Sequence, residues 1–254
     1  MNDASPAGEP GPLEVRIARK SFTAATGGRL EVLRDIAFSL PCSEVGAVVG
    51  PSGCGKTTLM RIIAGLETDF EGSVERPGTG RLGMVFQEPR LLPWRTVEQN
   101  VRLVAPAVSN AALSLLFDVL ELDAHRAHFP GELSLGLARR VALARAFAVE
   151  PGLLMLDEPF VSLDEALARR LREQLVTLVE TQAMTTLLVT HDLEEAVRLA
   201  DRVFLLSARP AHLVTEIPLT IPRRARSEAD IAAMLGDLAT RIGNGGAPAG
   251  RHSQ

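Results

Sequence analysis

The chain alternates between short apolar runs and stretches with helical spacing, and that rhythm predicts an α/β fold. Leu13 to Ala18 alternates apolar and polar side chains, the period of a half-buried strand. Val32 to Leu40 follows a similar pattern. Val45–Val49 is a continuous β-branched and small run, expected of a strand buried on both faces. Leu82 to Phe86, Leu153 to Leu156, Leu187 to Val189 and Val203 to Leu206 read the same way. Between the later runs, Leu167, Leu171, Leu175 and Leu178 fall on one helical face, as do Leu193, Ala196, Val197 and Ala200. Strands in alternation with helices point to a parallel sheet covered on both faces.

Residues 88 to about 150 break the rhythm. They hold no convincing strand. Leu113, Leu116, Phe117 and Leu120 mark one amphipathic helix with Ser109 as its N-cap, and Val141, Ala144, Arg145 and Ala148 belong to another. The segment reads as a helical subdomain inserted into the α/β core. Residues 227–242 predict a further helix with Ile231, Leu235, Leu238 and Ile242 on one face, expected to pack on its own domain. The Pro- and Gly-rich ends, residues 1–12 and 243–254, are expected to be disordered, which leaves 13–242 as the folded domain.

With 254 residues and 46% hydrophobic content, the chain supports one sizeable domain. The net charge of −4 argues against a nucleic-acid partner. Two cysteines, Cys42 and Cys54, make no disulfide framework and fit a reducing cytoplasm as free thiols. The N-terminus does not read as a secretory leader, and no apolar run is long enough to cross a membrane, so a soluble or peripheral protein is expected; if it acts at a membrane, another subunit must span it.

Chemistry concentrates at Gly50–Thr58, GPSGCGKTT, which fits G-x-x-x-x-G-K-[ST]. Such a loop wraps a polyphosphate with backbone N–H groups, so Gly50, Pro51, Ser52, Gly53, Cys54, Gly55, Lys56, Thr57 and Thr58 are candidate ATP contacts. Its glycines allow positive φ and close approach. Lys56 neutralises the terminal phosphates, and the Thr57 hydroxyl ligates Mg²⁺. The loop lies between the apolar run Val45–Val49 and a helical pattern through Leu59, Ile62 and Ile63. The helix dipole therefore aims at the phosphates.

A second constellation ends the strand at Leu156. Asp157 is placed to hold Mg²⁺, and Glu158 to polarise an attacking water. On its own such a pair is usually a solvated acidic turn; the phosphate-binding loop upstream reverses that reading. Gln87 ends one strand and is placed to sense Mg²⁺ or water. His191 ends another, within hydrogen-bonding reach of a γ-phosphate. Ser162 to Asp164 follows closely and starts a helix. His125 and His128 are spaced like metal ligands, but no third ligand is near, and solvated helix-end histidines are the better reading.

The order of these motifs resembles the ATP-binding cassette family, specifically the nucleotide-binding subunit of ABC transporters, over nearly all of residues 13–222. The match comprises GPSGCGKTT, Gln87, Leu133 to Gly136, Leu154 to Pro159, Ser162 to Asp164 and His191. The resemblance implies a P-loop NTPase core with an antiparallel β subdomain and an inserted α-helical subdomain. It implies that Lys56 binds phosphate, that Thr57, Gln87 and Asp157 meet Mg²⁺, that Glu158 is the catalytic base and His191 the switch histidine. Asp164 is implied to lie in the loop that contacts the opposite subunit, and Phe22 where the family stacks an aromatic on adenine; the alternative for Phe22 is a core position. Two cassettes of the family close head to tail over two ATP molecules, so a second copy is the implied partner, with Ser134 and Gly136 reaching the phosphate across the dimer.

Phe86 to Val97, with Leu205 to Pro210 and Glu216 to Leu219, is similar to the import ATPases for nitrate, sulfonate, taurine and bicarbonate. That subgroup implies a peripheral protein at the cytoplasmic face of the membrane. It serves transmembrane permease subunits and, indirectly, an extracytoplasmic solute-binding protein. Leu91, Leu92 and Trp94 fit either docking of an apolar permease helix or packing within the helical subdomain. One departure stands out. The family signature Leu-Ser-Gly-Gly-Gln reads Leu133, Ser134, Leu135, Gly136, Leu137 here. It is either a tolerated variant or a cause of weak hydrolysis. Non-transport relatives in DNA repair and translation are disfavoured, because the chain carries one cassette and no coiled-coil heptads between Lys56 and Ser134.

Overall fold

A computed structural model of the chain describes residues 11–23, 27–77 and 81–245, with side chains through Arg241. In chain order the strands and α-helices are β1 (Leu13–Thr23), β2 (Arg29–Leu40), β3 (Val45–Val49), α1 (Lys56–Ile63), β4 (Glu71–Glu75), β5 (Leu82–Val85), α2 (Val97–Val104), α3 (Asn110–Val119), α4 (Leu135–Phe147), β6 (Leu153–Asp157), α5 (Glu165–Thr181), β7 (Thr185–Thr190), α6 (Leu193–Leu199), β8 (Arg202–Leu206), β9 (Leu213–Pro218) and α7 (Glu228–Gly245). Two compact units divide the chain. One comprises residues up to Glu14, Ser39–Glu44 and Val74–Leu187, and the other Val15–Phe38, Val45–Ser73 and Leu188 onward.

The first unit carries β5, β6 and the opening half of β7 as sheet neighbours. β5 and β6 are parallel, with Leu82 opposite Leu153 and Val85 opposite Leu156. Every residue of β6 is buried, which explains its unbroken apolar run. Among the described residues no strand lies between Val85 and Leu153, only α2, α3, α4 and two short 3₁₀ turns. Ser109 caps α3 as its position predicts, its Oγ accepting from Ala112 N at 3.1 Å.

Helix α2 was not legible from periodicity, since eight residues give barely two turns. A capping box opens it: Thr96 Oγ1 accepts from Gln99 N, and the Gln99 side chain accepts from Thr96 N. Its Asn100 is fully buried. Asn100 Oδ1 accepts from Leu92 N at 2.8 Å, while Nδ2 donates to the carbonyls of Leu92, Arg95 and Thr96. One amide thus fixes the whole turn from Leu92 to Thr96.

The second unit holds two sheet segments. β2, β1 and β4 form a three-stranded sheet in that order. β3 runs parallel to β8, and β8 pairs antiparallel with β9. β3 is buried throughout, and Leu59, Met60, Ile62 and Ile63 of α1 are buried with it, each contributing about 1.5–3 kcal/mol of transfer free energy. Strand β1 runs on past the expected end at Ala18 to Thr23.

Strands β4 and β9 had no readable pattern. β4 has one apolar side chain, Val74, and its Gly72 sits at φ 144°. A Cβ on Gly72 would lie 2.0 Å from the Arg16 carbonyl, so backbone apposition to β1 makes the strand rather than burial. β9 is a half-buried edge ending in Pro218.

Helix α7 packs on α6 through buried Ile231 and Leu238 and a two-pronged pair, in which Arg198 donates to both Glu228 oxygens at 2.9 and 2.7 Å. It continues through Gly245, past the expected end at 242. The expected N-terminal disorder lies outside the described residues except at Gly11 and Pro12; of the expected tail, 246–254 lie outside them. Among the described residues, no helix is long and apolar enough to cross a membrane.

Asn100→Ala leaves Leu92 N–H and its companion carbonyls without their buried partner. The expected cost is about 1–3 kcal/mol of stability, read as a lowered midpoint in urea or thermal unfolding; an unchanged midpoint would remove Asn100 from its role.

Candidate functional site

In the second unit, β3 ends at Val49 and α1 begins at Lys56, and residues 50–55 turn the chain between them. The turn needs its glycines for different reasons. Gly53 and Gly55 adopt φ of 74° and 128°. A Cβ on Gly55 would lie 2.8 Å from both Val32 Cγ1 and Leu33 Cδ2, and one on Gly50 would press Cys54 Sγ and Leu206 at 3.1 Å. The Cys54 thiol is free and buried, so it fills space behind the loop. From β8–β9, Arg209 donates to the Gly53 carbonyl.

The buried Lys56 points its ammonium back under the loop, donating to the carbonyls of Gly50 at 2.8 Å and Pro51 at 3.2 Å. No acidic residue occupies the first turn of α1, so the helix N-terminus presents N–H groups and positive potential unopposed. The Thr57 side chain opens toward solvent at that end, with Thr58 half-buried behind it. A glycine cradle closed to side chains, a lysine and a bare helix N-terminus fit a polyphosphate.

The same unit brings His191 to this loop. Gly50, Pro51, Ser52, His191 and Ser207 share the wall of a cavity of about 480 Å³. The turn after β7 is fixed: buried Thr190 donates from Oγ1 to Glu195 at 2.7 Å and accepts from Asp192 N at 3.0 Å, and the Asp192 side chain caps α6. Thr190 and Asp192 are positioning residues that the sequence reading passed over. Phe22 lies on β1 and is 40% exposed, so the core alternative fails for it. Lys20 Nζ sits 4.4 Å from its ring centroid.

In the first unit, Asp157 is buried at the end of β6 and Glu158 follows half-buried with φ 49°, an uncommon left-handed backbone for glutamate. Gln87 lies exposed just beyond β5, the neighbour of β6. Two buried or partly buried polar groups hold the chain after it. Arg145 donates to the carbonyls of Pro89 and Arg90 at 2.9 and 2.8 Å, and burial pushes its guanidinium below its usual range. The other is Asn100. Phe86, Arg90, Leu92, Leu103, Val104 and Arg145 line a groove of about 370 Å³, with exposed Trp94 on the same loop.

Ser134 caps α4, its Oγ accepting from Leu137 N at 3.3 Å. The two glycine positions of the expected signature differ physically. A Cβ at Gly136 would lie 2.5 Å from Leu167 Cδ2, where α4 meets α5. Leu135 opens α4 with a helical backbone, and 46% of its surface is exposed. Asp164 caps α5, accepting from Leu167 N at 3.0 Å. His125 and His128 lie with ring centroids 5.1 Å apart, both half-buried rather than solvated, and no cluster of three metal-ligating side chains exists among the described residues.

A strand, a glycine turn and a lysine at a helix N-terminus, with an Asp–Glu pair closing another strand, define a nucleotide-hydrolysing α/β protein. A family model described as ABC transporter matches residues 33–161. The aliphatic sulfonates import ATP-binding protein SsuB 2 of Pseudomonas syringae pv. tomato is 44% identical over 217 residues, covering 84% of this chain and 91% of that protein. SsuB 1 of Pseudomonas aeruginosa is 41% identical over 248 residues, covering 91% of this chain and 97% of its own. Among solved structures, a dimeric ATP-binding cassette in a post-hydrolysis state with ADP and Pi superposes with a TM-score of 0.71 at 27% identity, covering 83% of this chain and 100% of that one. A dimeric bacterial ABC transporter cassette gives 0.73 at 26% over the same shares. The chain belongs to the ABC transporter family and is an ATPase of that family.

Gly55→Ala combines a positive φ with a 2.8 Å contact. The strain, about 1–3 kcal/mol, predicts a roughly 5- to 150-fold loss of affinity for a fluorescent ATP analogue. Parent affinity in that titration would show that the loop tolerates a Cβ.

Proposed function

We propose that this chain binds and hydrolyses ATP to energise import of a small solute through separate membrane permease subunits. The solute class the relatives' names support is the aliphatic sulfonates. The observation that carries the ATPase reading is the intact pair of constellations. One is the glycine cradle with Lys56; the other is Asp157 and Glu158 at the end of a buried strand.

Lys56, the loop N–H groups and the N-terminus of α1 hold the β- and γ-phosphates, and Phe22 offers a face to adenine. Thr57, Gln87 and Asp157 would hold Mg²⁺, since they offer hard oxygen donors with one carboxylate, and the ion would supply charge neutralisation for the phosphates. Glu158 takes the proton of the attacking water, and His191 hydrogen-bonds the γ-phosphate.

Two copies close over two nucleotides. Ser134 and Gly136 of one copy reach the phosphates held by the other, and Asp164 lies in the contacting loop. The dimeric cassettes among the solved relatives support this assembly. The groove beside Phe86, Leu92 and Arg90, with Trp94 exposed next to it, receives an apolar permease helix at the cytoplasmic face of the membrane. A solute-binding protein acts through the permease, not on this chain.

The weak-hydrolysis alternative is less favoured, because the relatives are named as import ATP-binding proteins.

Glu158→Gln should retain ATP binding and slow hydrolysis by about 10²- to 10⁴-fold in the assembled transporter; turnover at the parent rate would strip Glu158 of the base role. Leu135→Gly should leave the rate unchanged, and a clear rise would restore the weak-hydrolysis reading.

A further inference from the structure

Helix α4 carries three arginines whose guanidinium groups reach away from the helix. Each goes to a different place. Arg140 pairs with the Glu121 carboxylate at 2.7 Å. Arg145 holds the carbonyls after Gln87. Arg139, 5% exposed, donates from Nη1 to the Pro159 carbonyl at 2.7 Å, immediately after Glu158.

The turn that Arg139 reaches has an uncommon backbone. Glu158 and Ser162 both have positive φ, at 49° and 63°. The backbone hydrogen bonds across it are long, Val161 N to Glu158 O at 3.4 Å and Leu163 N to Phe160 O at 3.3 Å. Pro159 has no N–H with which to anchor itself. A left-handed glutamate persists only where its surroundings over-determine it. A charge-assisted bond at 2.7 Å is about twice as strong as a neutral one, and it fixes the peptide that follows the base. Burying a guanidinium is costly, and an apolar side chain would fill the space as well. The cost is met where the charge is aimed at Pro159.

We infer that Arg139 is a positioning residue that sets the orientation of Glu158 and ties it to α4, the helix that Ser134 caps. The inference rests on the reading of Glu158 as the base and of Ser134 as a contact to nucleotide held by a second copy. Under that reading, closure that engages the N-terminus of α4 is felt at Pro159 through a rigid helix and one hydrogen bond. The carboxylate then meets its water in the productive geometry.

The test uses the assembled transporter. Arg139→Met keeps the length of the stem and removes the donor; Arg139→Gln is neutral and too short to reach. Both should lower kcat by about 10- to 100-fold with the KM for ATP unchanged, since misplacing a reacting group by about 1 Å costs that much. Arg139→Lys, which retains a cation on a long stem, should recover part of the loss. Single-turnover hydrolysis in the Glu158→Gln background should show no further loss on adding Arg139→Met, because the effect runs through Glu158. Parent kcat in both the Met and Gln variants overturns the inference. So does a loss that appears in KM and in the thermal midpoint and repeats in full in the Glu158→Gln background, the mark of a merely structural arginine. If Glu158→Gln itself turns over at the parent rate, the base assignment falls and this inference with it. If Glu158→Gln is slow while the Arg139 variants are not, only the positioning role falls.

Discussion

Between β3 and α1 there is no room for a Cβ at Gly55. That constraint governs the second unit. Val32 and Leu33 of β2 press the loop from one side, and Leu206 of β8 meets Gly50 from another. β2 is in turn tied to the segment after β8, with Arg34 N donating to Ala211 O and Ala211 N to Val32 O, each at 2.8 Å. The loop therefore sits in a slot made by elements far apart in the chain. Packing from these elements restricts the loop's conformation, which lowers the entropy cost of ordering it around a phosphate. The slot also explains why a small thiol, Cys54, stands inside the loop: it is buried filler in contact range of Gly50.

The first unit solves a related problem with buried polar groups. Its functional segments are turns at strand ends, where backbone donors and acceptors lack sheet partners. Asn100 supplies four hydrogen bonds to the turn from Leu92 to Thr96, Arg145 two to the segment after Gln87, and Arg139 one to the turn after Glu158. Buried polar side chains stabilise less than apolar ones would, yet they hold a chosen geometry more tightly. The apolar faces of α3 and α4 supply the burial, and the polar groups aim the turns.

Much of this was legible in the chain. GPSGCGKTT announces its own strand and helix, because the chemistry of phosphate binding demands glycines at fixed offsets. The buried strands β3, β6 and β7 read as apolar runs because both faces are covered. The less legible parts share a cause. β4 is made by backbone apposition at Gly72, β9 by pairing with β8 at an edge, and α2 by a capping box with one buried amide. None of these leaves a hydrophobic period. Thr190 and Asp192 were passed over because a threonine and an aspartate beside a histidine read as ordinary turn residues until their hydrogen bonds are seen.

By itself, then, the sequence determined the local pieces. It gave the α/β alternation, the phosphate loop, the carboxylate pair at the end of β6 and the helix cap at Ser109. These depend on neighbours within a few positions, and residue type and spacing encode them directly. Only the tertiary structure decided which glycines are irreplaceable, that Leu135 costs the backbone nothing while Gly136 has Leu167 against it, that Phe22 is exposed, and where the arginines of α4 reach. Those outcomes depend on atoms contributed by distant segments, and no local pattern records which atoms will arrive.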